Sequence, residues 1–198
     1  LRTLTVIGGS THALGSLLNG AALFPLNLKQ HGIVNLLDWL RTNQISMCSF
    51  GPTLIRTIAG NATATEPLPA LREVTLSGEP VYKTDIDICR RMFSPACVLV
   101  NSLGATEAPF AAQFRIDPDT KFQGDLVPVG HPPSDLTITL RDEHGDAVID
   151  GTPGEIVVRS RYVALGYWYN PDLTQAKFSP SPDCAAERLY FTGDLGRL

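Results

Sequence analysis

Charge is scarce in this chain of 198 residues: Asp, Glu, Lys and Arg make up 18% of it, the net charge is −4, and no block of basic residues occurs. That excludes a nucleic-acid surface or a surface for anionic membranes, so neither partner is expected. No apolar run approaches the roughly 18 residues that a membrane-crossing helix needs. No basic stretch followed by an apolar core stands at the start, so no secretory signal is visible. Cysteine is sparse too. Cys48, Cys89, Cys97 and Cys184 form no C-x-x-C pair, which fits free thiols in a reducing, cytoplasmic setting. His31, His131 and His144 lack the spacing of zinc ligands. There are no internal repeats and no low-complexity segments.

What is present supports a folded core. Apolar residues make up 43% of the chain, far above the level of a disordered one. The length suits one large domain or two small ones. The chain opens on Leu1 and closes on "TGDLGRL" without a final helix or polar tail. It therefore reads as a piece of a longer polypeptide.

The first half alternates between strand and helix signals. "LTVI" and "ALFPLN" read as short strands, with "HALGSLLNGAAL" between them at helical spacing. "IVNLLDWLRTN" places Ile33, Leu36, Leu37 and Leu40 on one helical face. "ISMCSF", "LREVTLSG" and "CVLVNS" read as strands, separated by helices over "PTLIRTIAG" and "KTDIDICRRMF" and by the loop "NATATEPLPA". Such alternation predicts an α/β fold with a parallel sheet covered by helices. From about residue 116 helical periodicity fades. Short alternating runs, "TITLRD", "AVIDG" and "EIVVRS", are separated by the turn signals "DEHGD" and "DGTPGE". The expected organisation is an α/β subdomain over 1–115 followed by a small antiparallel, β-barrel-like subdomain over 116–198.

Four stretches combine Gly, Ser or Thr with a carboxylate: "TLSGEPV" (75–81), "NSLGATEA" (101–108), "GEIVVRSRYVALGYW" (154–168) and "YFTGDLGRL" (190–198). The first two follow predicted parallel strands, at the carboxyl ends where open α/β sheets bind ligands. Each alone is also what a turn or hairpin looks like. Their order and spacing together are far more specific.

That order resembles the ANL adenylate-forming superfamily, which comprises acyl-CoA synthetases, luciferases and the adenylation domains of nonribosomal peptide synthetases. The likeness is nearest to the last group, through Asn101 to Glu107, Gly154 to Trp168 and Tyr190 to Arg197. The resemblance implies an ATP-dependent ligase that joins a carboxylic acid to AMP, releases pyrophosphate, and passes the acyl group to a thiol of a phosphopantetheinyl carrier domain or of coenzyme A. ATP/AMP and Mg²⁺ are the implied cofactors. Thr106 would hydrogen-bond the α-phosphate, and Glu107 would hold Mg²⁺, an ion that takes one or two carboxylates beside phosphate oxygens. Gly104 would let backbone approach the nucleotide. Asp194 would accept from both ribose hydroxyls. Gly78, Glu79 and Pro80 match the stretch flanking the adenine, with Asn101, Ser102 and Leu103 on its other side. Leu103 stands where many relatives carry an aromatic residue, and Ala105 replaces a frequent Pro. A phosphate loop ending in Lys, and a C-terminal lid with a catalytic Lys, are family features that do not occur in this sequence. "GSLLNGAA" has no Lys-Ser and is not a Walker loop. The chain alone is therefore expected not to catalyse.

The resemblance also outlines an acyl pocket. Ile7, Gly8, Thr11, Ser49, Thr75, Ser77, Ser102, Phe110 and Ala111 would form its wall. Relatives that activate α-amino acids usually carry Asp at the position of Ile7 to pair with the ammonium, and an unpaired buried ammonium is costly. No carboxylate precedes Asp38. The implied substrate is an acid without a free α-amine: a hydroxy, keto, aryl or fatty acid. Trp39, Trp168 and the tyrosines read as packing anchors. Two other classes compete. "GGSTH" (8–12) begins like a hydrolase nucleophile elbow but ends in His, and no Asp-then-His order follows. The other is a non-catalytic nucleotide-binding or interaction module of the same fold. Intact Thr106, Glu107 and Asp194 argue against it, because a fold alone needs none of them.

Overall fold

The computed structural model describes residues 7–61, 68–149 and 151–198. Expectations for Leu4 to Val6 and for most of the loop "NATATEPLPA" fall outside those residues. The chain divides into two compact units. The first comprises Leu1–Leu103 and Gln113–Gly130, the second Gly104–Ala112 and His131–Leu198.

The first unit's described residues open with helix α1 (Ile7–Leu18), which puts Ile7 in a helix and corrects the bounds of the helix expected over 12–23. Two consecutive glycines, Gly8 and Gly9, weaken a helix without forbidding one, and Gly9 is buried, where a small residue fits. The helix stops at Gly20, which is left-handed (φ 72°). The Gly20 N–H donates to the Leu17 carbonyl at 3.1 Å and the Ala21 N–H to Ser16 at 2.9 Å, the paired bonds of a Schellman cap.

The strand expected at "ALFPLN" is also corrected, because residues 21–27 are irregular. Pro25 has no N–H for a ladder. Phe24 instead packs edge-on against Trp39, with centroids 6.4 Å apart. Asn27 caps the short helix α2 (Leu28–His31) by accepting from the Lys29 and Gln30 N–H groups. Helix α3 (Leu36–Thr42) follows.

The rest of this unit is a βαβαβ run: β1 (Met47–Phe50), α4 (Pro52–Asn61), β2 (Glu73–Ser77), α5 (Lys83–Met92) and β3 (Val98–Leu103), with β4 (Ala112–Ile116) completing the sheet order β1-β2-β3-β4. The β1–β2 and β2–β3 pairs are parallel, as the alternation predicts. Side chains alternate between faces along a strand, and the sheet is accordingly two-sided. Phe50, Val74, Leu76 and Leu99 are buried in one core with Leu36 and Leu40 of α3, Ile55 and Ile58 of α4, and Ile86, Cys89 and Met92 of α5. The other face carries Ser49, Thr75, Ser77 and Ser102; the register pairs Ser49 with Thr75 and Ser77 with Ser102.

The second unit is a four-stranded antiparallel sheet in the order β5-β6-β8-β7, built from β5 (Thr137–Arg141), β6 (Gly154–Ser160), β7 (Phe178–Pro180) and β8 (Arg188–Gly196). The run "AVIDG" forms only a bridge between Arg141 and Ala147, and Ile149 is 84% exposed. Asp142 tightens that turn by accepting from the His144 and Asp146 N–H groups, each at 2.9 Å. Helix α6 (Pro171–Lys177) escaped the sequence reading although its start signal is present. Asn170 accepts from the Leu173 N–H at 3.1 Å, and Pro171 opens the first turn. Among the described residues, no helix is long and apolar enough to cross a membrane.

Helices α4 and α5 are joined by one ion pair. Asp85 is fully buried and accepts from Arg56 Nε at 2.7 Å, from Arg56 Nη2 at 2.8 Å and from the Tyr82 N–H at 2.9 Å. Burial pushes the Asp85 carboxyl up, but Arg56 and the Tyr82 N–H outweigh it and hold it below its ordinary value. A carboxyl depressed by folding stabilises the fold above its unfolded pKa, and that contribution is lost as pH falls through the folded value. Arg56→Met should therefore lower stability at pH 7 by about 1–3 kcal/mol, the cost of a buried acceptor left unpaired, in a urea titration of the chain. The gap from the wild type should narrow in acid. Equal urea midpoints at pH 7 would show that the pair adds no net stability.

Candidate functional site

In the second unit the segment 104–111 folds back on itself. The Ala105 N–H donates to the Ala108 carbonyl at 3.1 Å, and the Ala108 N–H returns to Ala105 at 3.3 Å. This lifts Thr106 into solvent and leaves Glu107 half-buried. Gly104 is required for the fold-back, since a Cβ there would stand 2.8 Å from the Phe110 nitrogen. Phe110 is itself left-handed, with φ 55°.

Glu107 is held at two points by the segment that follows β6. Its carbonyl accepts from the Ala164 N–H at 2.9 Å. Its Oε1 accepts from the Tyr167 hydroxyl at 2.6 Å. The Tyr167 ring meets Phe178 edge-on at 5.3 Å, and Phe178 lies against Tyr190 at 5.2 Å. Tyr190 is only 5% exposed. Burial pushes its phenol up, and the Glu107 charge and the Tyr167 hydroxyl add to that effect. The hydrogen bond to Glu107 likewise raises the Tyr167 phenol. Both phenols are thus neutral donors at ordinary pH. Among the described residues, no Lys, Arg or His forms an ion pair with Glu107.

The "TGD" stretch lies at a register irregularity within β8 and uses its first two residues to present the third. The Thr192 hydroxyl donates to the Ile156 carbonyl at 2.8 Å and accepts from the Asp194 N–H at 3.0 Å. Gly193 is left-handed (φ 82°) and donates its N–H to Glu155 Oε1 at 2.8 Å. The Asp194 side chain stays in solvent.

In the first unit, Gly78, Glu79 and Pro80 follow the end of β2 and are exposed. The Glu79 carboxylate accepts from the Thr53 N–H at 3.3 Å and from the Thr53 hydroxyl. It thereby places negative charge at the start of α4. Asn101 is 3% exposed and donates to the Val127 and Pro128 carbonyls at 3.2 and 2.9 Å, so its amide pins the segment leading to Gly130. Ser102 is buried and Leu103 half-buried. Ser49, Thr75, Ser77 and Ser102 line one sheet face. Gly8 and Thr11 lie on α1, where the Thr11 hydroxyl reaches the Gly8 carbonyl at 3.4 Å. Ile7 heads that helix, and its side chain lies outside the described residues. Ala111 is buried and Phe110 exposed, both in the second unit.

The reading of Trp168 and the tyrosines as packing anchors holds for the buried Tyr190 and is corrected for Trp168, Tyr162 and Tyr169, which are exposed. Trp168 is 87% exposed, and Tyr167 acts through its hydroxyl. Sequence reasoning missed Tyr167, Tyr190 and Glu155 as site residues. The signal was present, since all three lie within the quoted motifs beside Glu107 or Asp194 partners.

Glu107 is a single carboxylate that forms no ion pair among the described residues. Among the described residues, no group of three or more His, Cys, Asp or Glu could hold an ion, which does not suit an all-protein cage. A lone carboxylate without a neutralising cation suits Mg²⁺, which keeps waters and binds substrate phosphates.

A parallel βαβαβ unit with Gly-rich strand ends, and an antiparallel unit carrying "GATE" and "TGD", define the adenylation-domain fold. The chain belongs to the AMP-binding enzyme family, whose profile matches residues 3–168. It is similar to gramicidin S synthase 2 of Brevibacillus brevis, at 33% identity over 190 residues, 92% of this chain and 4% of that protein. Among solved structures it resembles the nonribosomal peptide synthetase FmoA3 (S1046A), with a TM-score of 0.87 and 27% identity, over 100% of this chain and 22% of that one. It also resembles PA1221, an NRPS protein containing adenylation and PCP domains, with a TM-score of 0.81 and 25% identity, over 100% of this chain and 40% of that one. The chain thus spans a small part of the length of its relatives.

Gly104→Ala should destabilise the second unit by about 1–3 kcal/mol, the cost of forcing a methyl group against the Phe110 backbone. A urea titration monitored by hydrogen exchange over 104–111 checks this. An unshifted midpoint with unchanged protection would show that the loop has room for a Cβ.

Proposed function

We propose that this chain is part of an adenylating ligase of the nonribosomal-peptide type, which activates a carboxylic acid with ATP for transfer to a thiol. In that reaction a carboxylate oxygen attacks the α-phosphorus, the bond to pyrophosphate breaks, and an acyl-adenylate remains. The difficulty is the approach of two anions. Mg²⁺, when bound, supplies the neutralising charge. The chain's own part is to hold and orient. Glu107 offers a carboxylate to the ion, Thr106 offers an exposed hydroxyl to the α-phosphate, and Asp194 offers a solvent-facing carboxylate to the ribose hydroxyls. Gly78, Glu79, Pro80, Asn101, Ser102 and Leu103 flank the adenine. The observation that carries this reading is Glu107: a carboxylate fixed at both main chain and side chain, with no ion-pair partner among the described residues, beside an exposed threonine. A purely structural loop has no need of that charge. Crystals of the related FmoA3 (S1046A) include an AMPPNP-bound form, which supports ATP as the nucleotide.

The acid and its acceptor are finer points of the same proposal. The apolar Ile7, with no carboxylate before Asp38, supports an acid without a free α-amine. The acceptor is the thiol of a phosphopantetheinyl carrier domain, such as the PCP domain that PA1221 contains, or of coenzyme A.

Acid-dependent ATP–pyrophosphate exchange by the full-length protein tests this, with amino acids beside hydroxy, aryl and fatty acids. Exchange with an amine-free acid is expected. Exchange with an amino acid alone would keep the enzyme class and discard the reading of Ile7. Nucleotide binding without exchange for any acid would favour the non-catalytic module. Where exchange occurs, Asp194→Ala should raise the KM for ATP about tenfold or more, the loss of a hydrogen bond to a charged group.

A further inference from the structure

The Tyr167 hydroxyl has no packing purpose. Its ring would meet Phe178 equally well as phenylalanine, at the same 5.3 Å. What the oxygen adds is a 2.6 Å hydrogen bond to Glu107 Oε1, short enough for a charge-assisted bond. An arginine or lysine in its place would orient Glu107 equally well, but would neutralise it and repel a divalent ion. A phenol orients the carboxylate and leaves its charge intact. Phe178 and the buried ring of Tyr190 stand behind Tyr167 and limit its motion. The Ala164 N–H fixes the Glu107 main chain from the same segment. The stretch from Gly154 to Trp168 therefore reaches Glu107 twice, once through backbone and once through Tyr167.

We propose that Tyr167 is the positioning residue for Glu107, its hydroxyl holding the carboxylate in the orientation that presents it to a divalent cation. This rests on the metal role given to Glu107 above. Metal ligands are commonly oriented by such outer partners, and losing one costs about 10–100-fold in affinity.

The test is Mn²⁺ binding to the full-length protein with a non-hydrolysable ATP analogue, read from the paramagnetic resonance signal of free Mn²⁺. Thermal unfolding without metal or nucleotide confirms that each variant is folded. Tyr167→Phe should raise the Mn²⁺ dissociation constant about tenfold or more. In a Glu107→Gln background the same change should have no further effect, which a merely structural role would not produce. If Tyr167→Phe does not fold, Tyr167→Leu decides in its place, with the same rise expected in the native background and none beside Glu107→Gln. Wild-type Mn²⁺ affinity in the folded single variant overturns the proposal, as does an equal loss in both backgrounds. If Glu107→Gln itself binds Mn²⁺ like the wild type, the metal role of Glu107 fails instead, while pyrophosphate exchange still reports separately on the enzyme class.

Discussion

A carboxylate can be fixed in two ways, by a cation that cancels its charge or by neutral donors that leave the charge available. Glu107 is fixed in the second way, by the Tyr167 hydroxyl and by the Ala164 N–H on its own carbonyl. Much of the second unit serves this arrangement. Gly104 allows the segment to fold back, the Ala105–Ala108 pair closes it, and β6 delivers the chain that ends in Tyr167. Phe178 and Tyr190, from β7 and β8, form the wall behind the phenol. The metal role proposed for Glu107 needs a carboxylate whose charge no protein cation cancels, and these neutral donors are consistent with that need.

Polar groups elsewhere divide between scaffold and display. Asn101 spends its amide on two carbonyls, Glu79 braces the start of α4, and Asp85 locks α4 to α5 through Arg56. Asp194, by contrast, is held by its backbone N–H and exposes its side chain, and Thr106 is exposed within the turn closed by Ala105 and Ala108. Glu155 and Thr192 shape the stretch that displays Asp194. Exposed side chains on braced backbones are what a ligand-facing surface requires.

Most of the architecture was legible because its signals are local. The parallel run β1-α4-β2-α5-β3 follows from alternating periodicities and from Pro52 at the start of α4. The antiparallel β5 and β6 follow from "TITLRD" and "EIVVRS". Failures came where one residue decides against its neighbours. Pro25 removes a strand that "ALFPLN" otherwise suggests, Gly20 ends α1 earlier than its alanines imply, and Asn170 with Pro171 starts a helix within the subdomain read as β-rich. At the site, Thr106, Glu107 and Asp194 stood out because motifs mark them. Tyr167 did not, because its meaning lies in a contact 60 positions away, and spacing alone cannot show which face of an aromatic residue is in use.

The central claim is that Glu107 carries usable negative charge toward a nucleotide-bound cation. Calorimetric titration of a non-hydrolysable ATP analogue into the full-length protein, with and without Mg²⁺, tests it most directly when wild type and Glu107→Gln are compared. The account predicts that Mg²⁺ tightens binding in the wild type and not in the variant, with metal-free affinity alike in both. Equal tightening by Mg²⁺ in the two proteins would contradict it.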